Sequence, residues 1–138
     1  IESQGSLLAM VIRGAPSHNG AQFLTDPSDE QQVAYMKHPS GAIIQPHYHN
    51  AVQRVISRTQ EVLIVTRGKL ECQLFDHNNK HVRNCVLEAG ELIVLVAGGH
   101  GFTALEEVEM IEVKQGPFLG DCDKVRFTYE VQGGDLLA

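Results

Sequence analysis

No apolar run in this chain reaches the length of a membrane-spanning helix; the longest, Leu92–Gly99, has the length of a buried strand. No basic cluster is present either: 11 Lys and Arg stand against 17 Asp and Glu, a formal net charge of −6. Nucleic acid, which needs a positive face to displace counterions, is therefore not an expected partner. The acidic residues gather only in short groups, Glu106-Glu107 and Asp121-Cys122-Asp123, which read as solvated loops. Cysteine is scarce and odd in number: Cys72, Cys85 and Cys122, with no Cys-x-x-Cys pair. This argues against a disulfide framework and for reduced thiols. Cys72 alternates with Leu70 and Leu74, as a small core residue would. The opening residues Ile1-Glu2-Ser3-Gln4-Gly5 carry no basic-then-apolar signal pattern, so a cytoplasmic protein is expected.

Helical periodicity is missing as well. No segment of helical length repeats every three to four residues, and the best candidate is one turn around Pro27–Gln32, capped by Asp26. Strand patterns are present instead. Short runs rich in Val, Ile and Leu occupy Leu7–Ile12, Gln31–Lys37, Ala42–His49, Val52–Ile56, Glu61–Thr66, Leu70–Phe75, Val82–Leu87, Leu92–Ala97, Phe102–Leu105, Val108–Val113 and Val125–Val131. Arg67-Gly68-Lys69 is a tight hairpin link, and Asp76–Lys80 is a hairpin loop with two asparagines. With 138 residues and no linker or repeat, the expectation is one all-β domain over 1–138, a sandwich or a barrel.

The histidines are placed where chemistry is possible. His47 and His49, one residue apart in an extended run, are expected to share a strand face, so that both rings can grip one ion. Glu61 opens the next strong strand and offers an oxygen ligand. His100 follows the buried run that ends in Gly98-Gly99. Three neutral imidazoles and one carboxylate suit a divalent transition metal.

The order of these groups resembles the cupin superfamily. Gly41, five residues, His47-x-His49, and later Glu61, six residues, Gly68 is similar to the first cupin motif; Gly90 followed by Val96-Ala97-Gly98-Gly99-His100 is similar to the second. The likeness covers about residues 40–115. It implies a double-stranded β-helix, the cupin-type jelly-roll barrel, with one divalent transition metal (Fe, Mn, Ni or Zn) held by His47, His49, Glu61 and His100. The chain departs from the pattern in three places. Eleven residues separate His49 from Glu61, which leaves Gln53 as the rival fourth ligand; His100 comes one residue early, a shift that Gly98-Gly99 can absorb as a bulge; and Ala104 stands where Asn is usual.

Alternation nominates further residues. Gln45 shares a face with His47 and His49, and Phe102 shares one with His100. Leu63 and Val65 follow Glu61 and fit barrel packing better than a pocket wall. Lys114 ends a strong strand and is either a proton shuttle beside the site or a rim charge. Arg54, within the Asn50–Gln60 excursion, is a candidate for binding a phosphate or carboxylate. The excursion itself is expected to be ordered, with Val52, Val55 and Ile56 buried against the barrel or a second subunit. His18, His38, His77 and His81 read as surface residues. The implied function is an enzyme acting on a small polar molecule such as a sugar or sugar phosphate, by isomerase, epimerase or dioxygenase chemistry. The alternative is a small-molecule-binding module with a structural or vestigial metal. A homodimer is expected, because sheet edges need protection.

Overall fold

The computed structural model describes residues 1–129. Backbone contacts divide the chain into two compact units, Ile1–Arg13 with Arg58–Ala138, and Gly14–Ser57, each described here by itself. Among the described residues there is no α-helix, only a 3-10 turn at Gly120–Asp123. Among the described residues, no helix is long and apolar enough to cross a membrane.

The strands are β1 (Glu2–Ser3), β2 (Ser6–Leu7), β3 (Ala9–Ile12), β4 (Gly20–Phe23), β5 (Ala34–Lys37), β6 (Glu61–Arg67), β7 (Lys69–Phe75), β8 (His81–Glu88), β9 (Leu92–Leu95), β10 (Gly99–Ala104) and β11 (Glu109–Lys114). In the first unit a four-stranded antiparallel sheet has the order β11-β6-β9-β3, and a three-stranded one the order β10-β7-β8. The inward residues of both sheets build one core. Ala9, Leu63, Val65, Ile93 and Leu95 come from the larger sheet, and Leu70, Cys72, Leu74 and Leu87 from the smaller. Cys72 is the small core residue its alternation predicts, and Leu63 and Val65 pack in the core.

The β6–β7 hairpin carries the chain from one sheet to the other. Gly68, at its tip, has φ 77°, and a side chain there would run into the backbone carbonyl of Glu107. Only glycine fits both demands. The Asp76–Lys80 loop is held by Asp76, whose Oδ1 accepts the backbone N–H of Asn78 at 2.8 Å and of Lys80 at 3.0 Å, with Asn79 left-handed at φ 60°. The β7–β8 ladder shifts register between Leu74 and Phe75.

In the second unit β4 and β5 pair antiparallel, and the Tyr35 hydroxyl donates to the carbonyl of Gly14. The helical turn expected at Pro27–Gln32 is instead an Asx-type turn, in which Asp26 Oδ1 accepts the backbone N–H of Ser28 at 2.8 Å. The strands expected at Ala42–His49 and Val52–Ile56 are absent: residues 42–57 make no ladder. Val52, Val55 and Ile56 are 59%, 84% and 44% exposed on the single chain. Without a neighbouring strand, alternation has no sheet on which to hide one side. No strand forms over 124–129, and the rest of the Val125–Val131 expectation lies outside the described residues.

Candidate functional site

In the first unit the space between the two sheets opens at one end into a pocket of about 730 Å³. Its inner wall follows from strand register. Glu61 lies on the face of β6 that carries Leu63 and Val65, at the end where the core stops. Its ladder partners are Lys114 on β11 and Leu95 on β9. Directly opposed residues in an antiparallel ladder share a face, so Lys114 and Glu112 also turn toward the pocket. On the other sheet, His100 opposes Leu74 and Phe102 opposes Cys72. Both therefore turn inward, toward Glu61.

The chain enters the strand that carries His100 through Gly98. Gly98 takes φ 74°, and a side chain there would collide with the carbonyl of Phe75. β10 then begins at Gly99 in register with β7, and no bulge within β10 is needed. Phe102 packs beside the ligand candidate, its ring centroid 5.3 Å from that of His100.

The two sheets meet chemically at this point. His100 Nε2 lies 3.1 Å from Glu61 Oε2, with the side chains 31% and 15% exposed. Lys114 Nζ is 3.9 Å from Glu61 Oε1 and 4.0 Å from Asp123 Oδ2, and it lies over the Phe118 ring. The hydrogen bond from His100, and then the charges of His100, Lys114 and Lys124, hold the Glu61 carboxyl below its ordinary value; partial burial opposes them. The outer wall is the chain after β11, which contributes Asp123, Lys124, Arg126, Phe127 and Tyr129. Phe127 and Tyr129 pack edge-on against Phe75.

His47, His49, Gln45 and Arg54 belong to the second unit and are exposed. His47 and His49 stand on irregular chain rather than on a strand, yet their rings lie edge to face with centroids 5.5 Å apart. Nδ1 of His47 is 2.9 Å from the carbonyl of Gln45, which leaves Nε2 as the nitrogen turned outward for a ligand. Gln45 thus acts through its main chain on a neighbouring ring. Among the described residues, no group of three or more His, Cys, Asp or Glu side chains is drawn together as a metal cage.

Sequence reasoning missed the outer wall. Glu112 was readable from its alternation with Lys114. Phe127 and Tyr129 alternate within the strand expected at Val125–Val131, but their place on the pocket wall, like that of Asp123, carried no signal. No family model, curated protein or solved structure matches the chain.

Proposed function

We propose that this chain is a small cupin-type enzyme. In this reading its sheets form the two layers of a double-stranded β-helix, and the pocket between them takes a small polar molecule such as a sugar or sugar phosphate. One observation carries the reading. Glu61 and His100, each the chemical residue of a separate motif, come within 3.1 Å of one another across the two sheets, inside the pocket.

The rest of the wall suits such a substrate. Phe75, Phe102, Phe127 and Tyr129 offer ring faces and edges to the apolar side of a sugar. Lys114, Lys124 and Arg126 offer charge to a phosphate or carboxylate. Without a metal, His100 carries the proton and the Glu61 carboxylate orients its ring; with one, both are ligands instead. Lys114, held by Glu61 and Asp123, is placed to polarise a substrate oxygen.

The donors fit a divalent transition metal in kind. Two ligands each about 2.1 Å from one ion stand roughly 3–3.5 Å apart, as Glu61 and His100 do. Glu61 and His100 of the first unit would hold it, and the motif resemblance implies His47 and His49 as its further ligands. Such an ion supplies Lewis acidity toward vicinal oxygens, or redox chemistry if it is iron.

The test is a panel of sugars and sugar phosphates, with and without added Fe, Mn, Ni or Zn, read by thermal shift and by product analysis. Saturable binding with turnover supports an enzyme. Saturable binding without turnover selects the binding-module alternative. No binding by any member overturns the assignment of the pocket.

A further inference from the structure

Cys72 and Cys85 lie directly opposite one another in the β7–β8 ladder. Opposed residues on antiparallel strands share a face, with Cα atoms about 4.5–5.5 Å apart. That separation falls within the range a disulfide accepts, about 4.4–6.8 Å. The Cys85 thiol donates to the carbonyl oxygen of Cys72, with Sγ 3.8 Å from it. Both thiols are free.

The two differ in access. Cys72 is fully buried in the core between the sheets. Cys85 packs against that core from β8, an edge strand of the smaller sheet, and is only partly buried. Arg13 donates to the carbonyl of Val86 at 2.6 Å, which anchors a cation beside Cys85. A half-exposed thiol beside a cation and opposite a buried partner has the arrangement of an attacking and a resolving cysteine.

We propose that Cys72 and Cys85 form a reversible thiol–disulfide site, oxidised by a small-molecule disulfide. The Cys85 thiolate attacks one sulfur of the reagent, forming a mixed disulfide and releasing one thiolate, which takes up the proton Cys85 lost. The Cys72 sulfur then attacks the Cys85 sulfur and expels the second reagent thiolate, which takes up the Cys72 proton. Two protein thiols are oxidised to one disulfide, and one small disulfide is reduced to two thiols. The order of events agrees with the local electrostatics. Hydrogen bonding with Cys72, and then the charges of Arg13 and Arg83, hold the Cys85 thiol below its ordinary value against the effect of burial. The same hydrogen bond and burial push Cys72 up. On its other side Cys72 opposes Phe102, so the bond would form one strand away from the pocket wall.

The experiment uses the full chain carrying Cys122→Ser, which leaves only Cys72 and Cys85. It is incubated with oxidised glutathione at neutral pH, unfolded, assayed for thiols and digested without reductant. Trypsin cuts at Lys80 and Arg83, between the two cysteines. The expected result is loss of both thiols together, a cross-linked peptide joining Cys72 to Cys85 within one chain, and full recovery with dithiothreitol. Adding Cys85→Ser should leave Cys72 reduced under the same conditions. The wild-type chain, mapped in the same way, should give the same link and covers the case in which Cys122→Ser folds poorly. Two unreacted thiols in folded protein, a stable glutathione adduct on Cys85 beside a free Cys72, or a link between chains would each overturn the proposal.

Discussion

Lys114 and Asp123 stand 4.0 Å apart, Nζ to Oδ2, and join the end of β11 to the chain segment that forms the outer wall of the pocket. Both side chains are 19% exposed, so the attraction is less screened than that of a surface pair. Asp123→Asn should therefore cost about 0.5–1 kcal/mol in urea unfolding and speed amide exchange over residues 118–127. Unchanged exchange there would mean that packing alone, chiefly Phe127 on Phe75, holds the wall.

The depressed Glu61 carboxyl sets a sign for pH dependence. Its value in the fold is lowered from 4.5, so its contribution to stability is fully present above that value and is lost as pH falls through the lower, folded one. The stability difference between wild type and Glu61→Gln should accordingly be largest near about pH 6 and shrink toward about pH 3. A difference that stays constant over that range would show that the contact with His100 does not favour the charged carboxylate.

Glycine is demanded more strongly at Gly98 than at Gly90. Both have positive φ, 74° and 88°, but a side chain at Gly98 meets the backbone of Phe75, while at Gly90 it meets nothing. Gly90→Ala should cost about 1–2 kcal/mol, and Gly98→Ala clearly more, about 3 kcal/mol or above. Equal losses in urea melts would contradict the claim that Gly98 fixes the entry of β10, and with it the position of His100.

Metal loading offers a further check. Imidazole must be neutral to ligate, so uptake of Fe, Mn, Ni or Zn should weaken in acid. It should also weaken in His47→Ala, His100→Ala and Glu61→Gln, whereas Gln53→Ala should have no effect. If Gln53→Ala weakens uptake and Glu61→Gln does not, the fourth ligand is Gln53.

The sheets of the first unit were readable because each strand there has a partner. Leu63 and Val65, or Leu70, Cys72 and Leu74, alternate in sequence and meet one another in the core. Ala42–His49 and Val52–Ile56 carry comparable apolar content, but residues 42–57 find no ladder, and composition alone does not reveal whether a neighbour exists. β1 escaped notice because Glu2–Ser3 has no apolar signal; it depends on the turn at Gln4-Gly5, both at positive φ. The facing of Cys72 and Cys85 was hidden for a subtler reason. Phe75 opposes His81, but Leu74 opposes Arg83, so one residue of β8 is passed over. That register shift is what brings the two cysteines opposite each other. At the site, the inward turn of Glu61, His100 and Phe102 followed from alternation, whereas the approach of the carboxylate to the ring required the two sheets to be stacked.

The central claim is that Glu61 and His100 form the working centre of a pocket for a small polar molecule. Its most direct test is a binding titration, by calorimetry, of the sugar or sugar phosphate that gives the largest thermal shift. Wild type is compared with Glu61→Gln, His100→Ala and the surface control His18→Ala. The account predicts saturable binding that weakens at least about tenfold, roughly 1.4 kcal/mol, in both site variants and is unchanged in the control. Equal affinity in all four proteins, each shown to be folded, would contradict it.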